Sequence, residues 1–284
     1  MQPCTPETIM PGRSLAGISL ALMALAFAAS ASAAPRTYVC HRTSGSIAVD
    51  GALDDAGWQG IPWVDSVQRF MAPSGGTPQR TCVKAAWDDR NLYIAFRVYD
   101  ADPWATKTVR DDALWEEQVV EVYIDENDDL LNYKEFEINP LGAVIDLLIP
   151  KAGDQADWRK CARWNAPGWR TAVRVYRDAP RPYWVAEMAF PWGIFDEARN
   201  RPPRPDDVWR IQFYRIERPR PGADLVASSW SPTPDFHVPQ YFGRLEFANE
   251  ADEATSPQRR PSGPRWGPSG SQRGEERREH QPGS

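Results

Sequence analysis

Hydrophobic and polar residues alternate along most of this chain, and this period of two constrains its fold more than any other feature. The alternation recurs on both sides of Asp88-Asp89-Arg90-Asn91, a sequence typical of a hairpin turn. The segments with a strand pattern are Ser46–Val49, Thr81–Trp87, Leu92–Tyr99, Val119–Ile124, Tyr133–Asn139, Ala143–Ile149, Trp169–Tyr176, Tyr183–Phe190, Val208–Ile216, Val226–Trp230 and Tyr241–Phe247. Because no long amphipathic helix is indicated, the chain is predicted to be all-β, with one jelly-roll-like β-sandwich domain.

The amino-terminal segment departs from this pattern. An apolar run follows Arg13 and ends in the small residues Ala31-Ser32-Ala33, which together are typical of a secretory signal. Its strongly apolar part, 15–29, is shorter than the ~20 residues of a membrane span. We therefore predict a signal peptide at 1–34, cleaved after Ala33 or Ala34, and a secreted or periplasmic protein without a membrane span.

The carboxyl-terminal segment, 251–284, also lacks the strand pattern. Pro, Gly and Ser make up 15 of its 34 residues, and Trp266 is its one aromatic residue, so we predict a disordered tail. The domain at 35–250 then carries a net charge of −7, since the whole chain has −6, the tail +1 and the leader 0. This charge repels phosphate backbones and anionic membranes, and we expect no nucleic-acid partner.

Three of the predicted strands share one arrangement of side chains. Val119–Ile124, Tyr133–Asn139 and Val208–Ile216 each place apolar residues on one face. The opposite face carries Tyr, Glu, Gln, Arg and Asn residues. Two interpretations remain open: an ordinary solvated face with cross-strand ion pairs, or a platform whose polar groups bind a hydroxylated ligand.

Tryptophan residues fall into two groups. Trp87, Trp184 and Trp209 lie in alternating strands and are predicted to be in the core. Trp104 and Trp115 lie in a polar connection, where an indole either stacks on a sugar ring or folds back over the edge of the sandwich.

The cysteines allow one disulfide. Cys40, Cys82 and Cys161 remain after the leader, and an exported protein is exposed to oxidising conditions. The candidate pair is Cys40 with Cys82, and the alternative is three buried thiols.

Seven sequence pieces, taken in order, resemble family 9 carbohydrate-binding modules and their secreted stand-alone relatives. The resemblance covers Ile47 to Phe247. The pieces are IAVDGALDDAGW, VKAAWDDRNLYIAFRVYDAD, LWEEQVVEVYIDENDD, YKEFEINPLG, WVAEMAFPW, VWRIQFYRIE and WSPTPDFHVPQYFGRLEF.

The resemblance implies a β-sandwich that holds a small sugar or a polysaccharide end between two aromatic residues. By position, Trp115 resembles the first stacking aromatic residue, Glu121 the acid that binds hydroxyl groups, and Gln212 the glutamine of the site. Such a protein would serve carbohydrate catabolism.

This chain departs from the family pattern at two positions. Phe236 stands where the modules have a second stacking Trp, and Glu137 stands where they have an arginine, which reverses a charge in the site. We also include His237, next to Phe236, as a hydrogen-bonding group of the site.

The resemblance also implies a structural Ca²⁺ as a cofactor. Asp125–Asp129 offers the hard oxygen ligands that Ca²⁺ needs, although the EF-hand spacing is absent and a solvated turn is the alternative.

The main hypothesis is a non-catalytic carbohydrate-binding protein. One alternative is a glycoside hydrolase acting on O-glycosyl bonds, with its carboxylates from Glu121, Glu135 and Glu137. A second alternative is a haem or redox sandwich. Its axial ligands would come from the few candidates His41, His237, His280, Met71 and Met188.

Overall fold

The computed structural model describes residues 34–66 and 78–249, and the predicted signal peptide and tail lie outside these ranges. The described residues form twelve strands and one α-helix of four residues. The strands are β1 (Thr37–Arg42), β2 (Val64–Ser66), β3 (Thr81–Trp87), β4 (Asn91–Tyr99), β5 (Val119–Asp125), β6 (Tyr133–Ile138), β7 (Val144–Ile149), β8 (Arg170–Tyr176), β9 (Tyr183–Pro191), β10 (Val208–Glu217), β11 (Val226–Ser229) and β12 (Gly243–Ala248). Helix α1 is Trp158–Cys161, and the 3₁₀ turns are Ala56–Trp58, Leu114–Glu116, Asp154–Asp157, Trp192–Ile194 and Pro239–Tyr241. None of the described helices is long and apolar enough to cross a membrane.

The strands form one curled sheet in the order β7-β6-β5-β10-β12-β1-β3-β4-β9-β8, with β11 beside β10 and β2 beside β3. Strand β1 is parallel to both β12 and β3, whereas the other pairs are antiparallel. It therefore joins two halves, which we call sheet A (β7, β6, β5, β10, β12 and β11) and sheet B (β2, β3, β4, β9 and β8). Val122 and Phe136 of sheet A share one core with Ile94 and Met188 of sheet B. The predicted all-β sandwich is confirmed.

The predicted alternation of the three strands is confirmed on the core side. The residues predicted to face inwards lie in the core between the sheets: Val120, Val122, Ile124, Phe136, Ile138, Trp209, Ile211 and Phe213. Trp87 and Trp184 lie in the same core. The opposite face of sheet A is buried as well: Glu121, Glu135, Glu137 and Gln212 are each at most 3% exposed. The interpretation of a solvated polar face is therefore wrong, because loops cover this face.

Ten of the eleven predicted strands form within a few residues of their expected bounds. The exception is Ser46–Val49, which has no strand structure. Its residue Ile47 packs with Trp58 on the outer face of sheet B, and the N–H of Ala48 donates to the Asp55 carboxylate. Since this segment crosses the face of a sheet, it has no strand edge with which to pair.

The predicted disulfide between Cys40 and Cys82 is wrong. Both residues and Cys161 are buried free thiols. In the parallel pairing of β1 and β3, Cys40 is level with Ala85. Cys82 precedes Ala85 by three residues, which separates Cys82 from Cys40 by about 10 Å along the strand direction. The Cys82 side chain also points away from the core, where its thiol donates to the Asp65 carboxylate at 3.1 Å. A disulfide cannot span this separation without moving the backbone.

Each sheet has a second apolar cluster on its outer face. On sheet A, cluster A contains Leu114, Val119, Tyr123, Tyr133, Ala143, Ile145, Leu147, Ile149, Cys161, Tyr214, Ile216 and Phe242. On sheet B, cluster B contains Ile47, Trp58, Ala86, Tyr93, Ala95 and Ala189. The connections between strands thus fold over both sheets.

Candidate functional site

A pocket of about 340 Å³ lies beside cluster A, on the outer face of sheet A. Five of the six residues predicted to form a site line it together: Trp115, Glu121, Glu137, Phe236 and His237. They come from three separate parts of the sequence. The fold therefore assembles most of the predicted site in one place.

Strands β5 and β6 bring three carboxylates to the pocket. Glu121 lies directly opposite Glu137 in the antiparallel pairing, and Glu135 lies opposite Tyr123. Side chains two residues apart in a strand point to the same face, so Glu135 and Glu137 both point away from the core. All three glutamates line the pocket and are at most 3% exposed.

The environment of Glu121 and Glu137 disfavours the charge of their carboxyl groups. Burial, together with the charge of Glu135, raises the pKa of Glu121 well above its usual range, and a hydrogen bond with Tyr123 opposes this only in part. Burial and the charges of Glu121 and Glu135 likewise raise the pKa of Glu137, and a proton that Glu137 can share with the adjacent Glu135 carboxyl group raises it further. Within the described residues, Oε2 of Glu121, Oε2 of Glu135 and both carboxylate oxygens of Glu137 have no hydrogen-bond partner.

Aromatic side chains line the rest of the pocket. The 3₁₀ turn Leu114–Glu116 places Leu114 in cluster A and leaves Trp115 half-buried. The Trp115 ring packs edge-to-face against Trp158, with ring centroids 5.0 Å apart. Phe236 packs on the Tyr214 ring, with centroids 4.9 Å apart. Trp115, Trp158 and Phe236 offer the apolar surfaces that stack on sugar rings.

His237 is held by two tyrosines of the sheet. Its Nδ1 is 3.1 Å from the Tyr133 hydroxyl, and its ring centroid is 5.3 Å from that of Tyr123. Burial lowers the pKa of His237, so its ring is neutral at neutral pH. A neutral imidazole both donates and accepts a hydrogen bond, which suits a hydroxylated ligand.

Residues 49–249 match the family model described as carbohydrate family 9 binding domain-like. The chain belongs to this family. A family 9 carbohydrate-binding module from Caldicellulosiruptor kristjanssonii in complex with cellotriose is 19% identical, with a TM-score of 0.54, over 79% of this chain and 100% of that chain. The structure of such a module from that organism in complex with glucose is 18% identical, with a TM-score of 0.54, over 78% and 100% of the two chains. At this identity the likeness shows a shared fold. The comparison with curated proteins gives no match.

Gln212, the sixth predicted site residue of this family 9-like domain, does not line the pocket. Its amide nitrogen donates to the Ser231 carbonyl at 2.9 Å, and its Oε1 accepts the Ser231 N–H at 2.8 Å. The segment after β11 therefore covers Gln212. The glutamine fixes the start of the connection that leads to Phe236.

Eight further residues line the pocket, and three of them, Glu135, Trp158 and Arg218, carry polar groups or a broad aromatic surface that suit a ligand. Glu135 belongs to the predicted polar face, and Arg218 continues the alternation of β10, so strand parity indicates both. Trp158 lies in a polar connection, as Trp115 does, and the same signal applies to it. Trp104 instead donates its indole N–H to the Arg218 carbonyl at 2.6 Å, which agrees with the folded-back alternative.

The Asp125–Asp129 turn does not fit a Ca²⁺ site. The two carboxylate oxygens of Asp125 accept the N–H groups of Asp128 and Leu130, each at 2.9 Å. The Asp128 carboxylate is paired with Arg210. In the part of the chain that the structure describes, no group of three or more His, Cys, Asp or Glu residues can hold a metal ion.

The haem ligands considered above that the structure describes are His41, Met188 and His237, and they lie in different places. His237 lies in the pocket, whereas Met188 is fully buried in the core between the sheets. His41 lies in β1, where its Nδ1 is 3.2 Å from the Asn249 carbonyl oxygen. Met71 and His280 lie outside the described residues.

Proposed function

We propose that this protein binds carbohydrate in the pocket on sheet A, with a sugar ring stacked on Trp115 and its hydroxyl groups bound by Glu121 and Glu137. The observation that carries the proposal is the combination of aromatic surfaces with buried carboxylate oxygens that lack donors. Sugar hydroxyls donate hydrogen bonds, and sugar ring C–H faces pack on indole rings. The glucose and cellotriose complexes of similar folds support it.

Isothermal titration of the full chain against mono- and oligosaccharides, with intrinsic Trp fluorescence, tests this proposal. We expect Trp115→Ala to weaken binding at least about fivefold, since a nucleic-acid base stacked on one aromatic side chain gains ~1–3 kcal/mol and a sugar face stacks in a similar way. Trp63→Ala is the matched control, because Trp63 is also half-buried but packs on cluster B. Neither heat nor a fluorescence change with any sugar of a broad panel would contradict carbohydrate binding.

We further propose that the protein is secreted or periplasmic and serves carbohydrate catabolism. The apolar leader with its Ala31-Ser32-Ala33 site supports export. Fractionation of cells that express the full chain tests this, with the amino terminus of the exported form determined by sequencing. A chain that stays in the cytoplasm with an intact leader would overturn the proposal.

Hydrolysis of a glycosidic bond is the second candidate function. The observation that favours it is the opposed pair Glu121 and Glu137, because cross-strand partners have Cβ atoms ~5 Å apart and retaining glycosidases need carboxyl groups at a similar distance. A raised carboxyl pKa also suits a general acid. Release of reducing sugar from a polysaccharide, lost in Glu137→Gln, would establish hydrolysis, and binding without release would exclude it.

A further inference from the structure

The charge balance of the pocket identifies a narrower ligand class. Three glutamates line one pocket, and four of their oxygens have no hydrogen-bond partner within 34–66 and 78–249. Glu137 is the extreme case: its side chain is fully buried, and neither oxygen has a donor apart from a proton that it can share with Glu135. A buried carboxylate without donors is costly, so a ligand that provides them gains the most there.

Arg218 is the basic side chain of the pocket lining, its Nε has no hydrogen-bond partner among the described residues, and it forms no ion pair with these glutamates there. The pKa shifts of Glu121 and Glu137 arise from burial and from other glutamates, and neither lysine nor arginine contributes. Arg218 lines the pocket, but its Nη1 donates to the Ala223 carbonyl at 3.1 Å. Among the ion pairs of the described residues, none joins Arg218 to a pocket glutamate.

A metal ion is a poor counter-ion for these carboxylates. The three glutamates do not form a group that can hold a metal in the described structure. The surrounding surface is also aromatic, with Trp115, Trp158 and Phe236, and such rings attract organic cations through their π faces. The complement of this pocket is therefore an organic cation with a flat apolar face and several hydrogen-bond donors.

We propose that the pocket selects a sugar that carries a protonated primary amine, with Glu137 and Glu121 as its counter-ions. The substrate class is an amino-hexose or the end of a polysaccharide built from unacetylated amino sugars. This inference rests on the proposed carbohydrate binding and specifies its ligand. An ammonium group provides three N–H donors and a charge, which matches the unpartnered oxygens better than a hydroxyl group does.

Competitive and direct titrations of the full chain with glucosamine and glucose test the proposal, because the two sugars differ by an ammonium in place of one hydroxyl group. N-acetylglucosamine, which is neutral, is the third ligand. We expect glucosamine to bind at least about tenfold more tightly than glucose or N-acetylglucosamine, as expected for a desolvated charge pair. This preference should persist at about 0.15 M salt, since buried pairs are screened much less than surface charges.

Two variants locate the effect. Glu137→Gln keeps the shape of the side chain and removes the carboxyl group that would ionise beside a bound ammonium, and we expect it to reduce the ratio of glucosamine to glucose affinity to within about threefold. Glu121→Gln provides a second, independent test if the first variant does not fold. Glu246→Gln removes an equal charge from β12, where Glu246 is partly exposed and lies outside the pocket lining, and should leave the ratio unchanged.

The outcomes separate this inference from the proposed function. Equal or tighter binding of glucose would overturn the selection of an amine and leave carbohydrate binding in place. Binding of choline or ethylamine as tight as that of glucosamine would overturn the inference, because the sugar would then contribute nothing. Absence of binding for every sugar, charged or neutral, would overturn both proposals. A glucosamine preference that Glu137→Gln abolishes and Glu246→Gln retains supports the inference.

Discussion

Glu187 and Glu137 are both fully buried glutamates on the outer faces of their sheets, yet their carboxylates have opposite surroundings. On sheet B, the N–H groups of Asp50 and Gly51 donate to Oε2 of Glu187 at 2.9 and 2.8 Å, and the Trp58 indole donates to its Oε1 at 2.7 Å. On sheet A, no N–H group of the described residues donates to either oxygen of Glu137, which has only the neighbouring Glu135 carboxyl group with which to share a proton. Burial raises the pKa of both glutamates, but only Glu187 has donors that act in the opposite direction.

The connection over sheet B is shaped to provide these donors. Gly51 has a φ of 78°, and a Cβ there would lie 2.9 Å from the Arg174 Cβ, so both the conformation and the space require glycine. Within 34–66 and 78–249, no segment donates N–H groups to Glu137 in this way, and its side chain lines the pocket instead. A buried carboxylate closed by the protein's own N–H groups is therefore structural, whereas one that faces a pocket without donors is available to a ligand.

Removing the closed carboxylate should have the largest effect on stability. We expect Glu187→Ala to lower the free energy of unfolding by about 3–5 kcal/mol, because three N–H donors lose their acceptor in a buried site. Urea unfolding followed by Trp fluorescence measures this. Sugar affinity of the folded variant should change little, since Glu187 packs on the other sheet. A change below about 0.5 kcal/mol, the size of an ordinary surface substitution, would break the comparison.

Replacing Glu137, the carboxylate that faces the pocket, should change the free energy of unfolding in the opposite direction. We expect Glu137→Gln to raise the free energy of unfolding by roughly 1–3 kcal/mol at neutral pH, because a buried group without donors is replaced by a neutral one. The same unfolding experiment measures it, with Glu246→Gln as the control for loss of one negative charge. Destabilisation by Glu137→Gln would mean that Glu137 has structural partners and that its pocket role is mistaken.

The contrast between Glu187 and Glu137 also shows which features of the site can be predicted from the sequence. Strand parity places Glu121, Glu137 and Gln212 on one face, and that placement is confirmed. Parity does not reveal which loop covers each residue: Ser231 covers Gln212, while nothing in the described chain bonds to the oxygens of Glu137. These contacts join residues far apart in sequence, so local patterns carry no information about them.

Register is the other property that the sequence leaves open. The alternation predicts β3 correctly, but β1 contains no equally clear pattern and is not predicted. The Cys40–Cys82 hypothesis fails for this reason, because the relative shift of β1 and β3 decides the distance between the two thiols. Family resemblance identifies the site more readily, since Trp115 and Glu121 keep a fixed local spacing of six residues.

A third prediction uses pH to compare the wild type with Glu137→Gln. The raised pKa of Glu121 and Glu137 means that the folded state holds protons which the unfolded chain releases above the ordinary glutamate pKa of 4.5. The stability that these two bound protons contribute is complete below that pH and is lost as the pH rises towards the folded-state pKa. The free energy of unfolding falls by at most about 1.4 kcal/mol per pH unit for each proton. We therefore expect the wild type to lose more stability with rising pH than the variant does.

Thermal or urea unfolding across the range from mildly acidic to mildly alkaline pH measures this difference. The other titratable or charged groups around the pair are Glu135, Tyr123, Tyr214, Arg218 and His237. Because both proteins contain all of these groups, the difference between the two curves isolates Glu137. Parallel curves would show that Glu137 has the same charge in the folded and unfolded states.

The smallest expected effect concerns Trp158, which packs on Trp115 in the pocket on sheet A. Trp158 packs its ring edge-to-face on Trp115, a contact typically worth about 0.5–1.5 kcal/mol. We expect Trp158→Ala to weaken sugar binding by roughly 2- to 10-fold, because Trp115 loses the neighbour that orients its ring for stacking. The loss should be smaller than that of Trp115→Ala, and Trp63→Ala on sheet B should cause none. If Trp158→Ala weakened binding more than Trp115→Ala, Trp158 would be the main stacking surface. The assignment of that role to Trp115, which rests on its spacing from Glu121, would then be wrong.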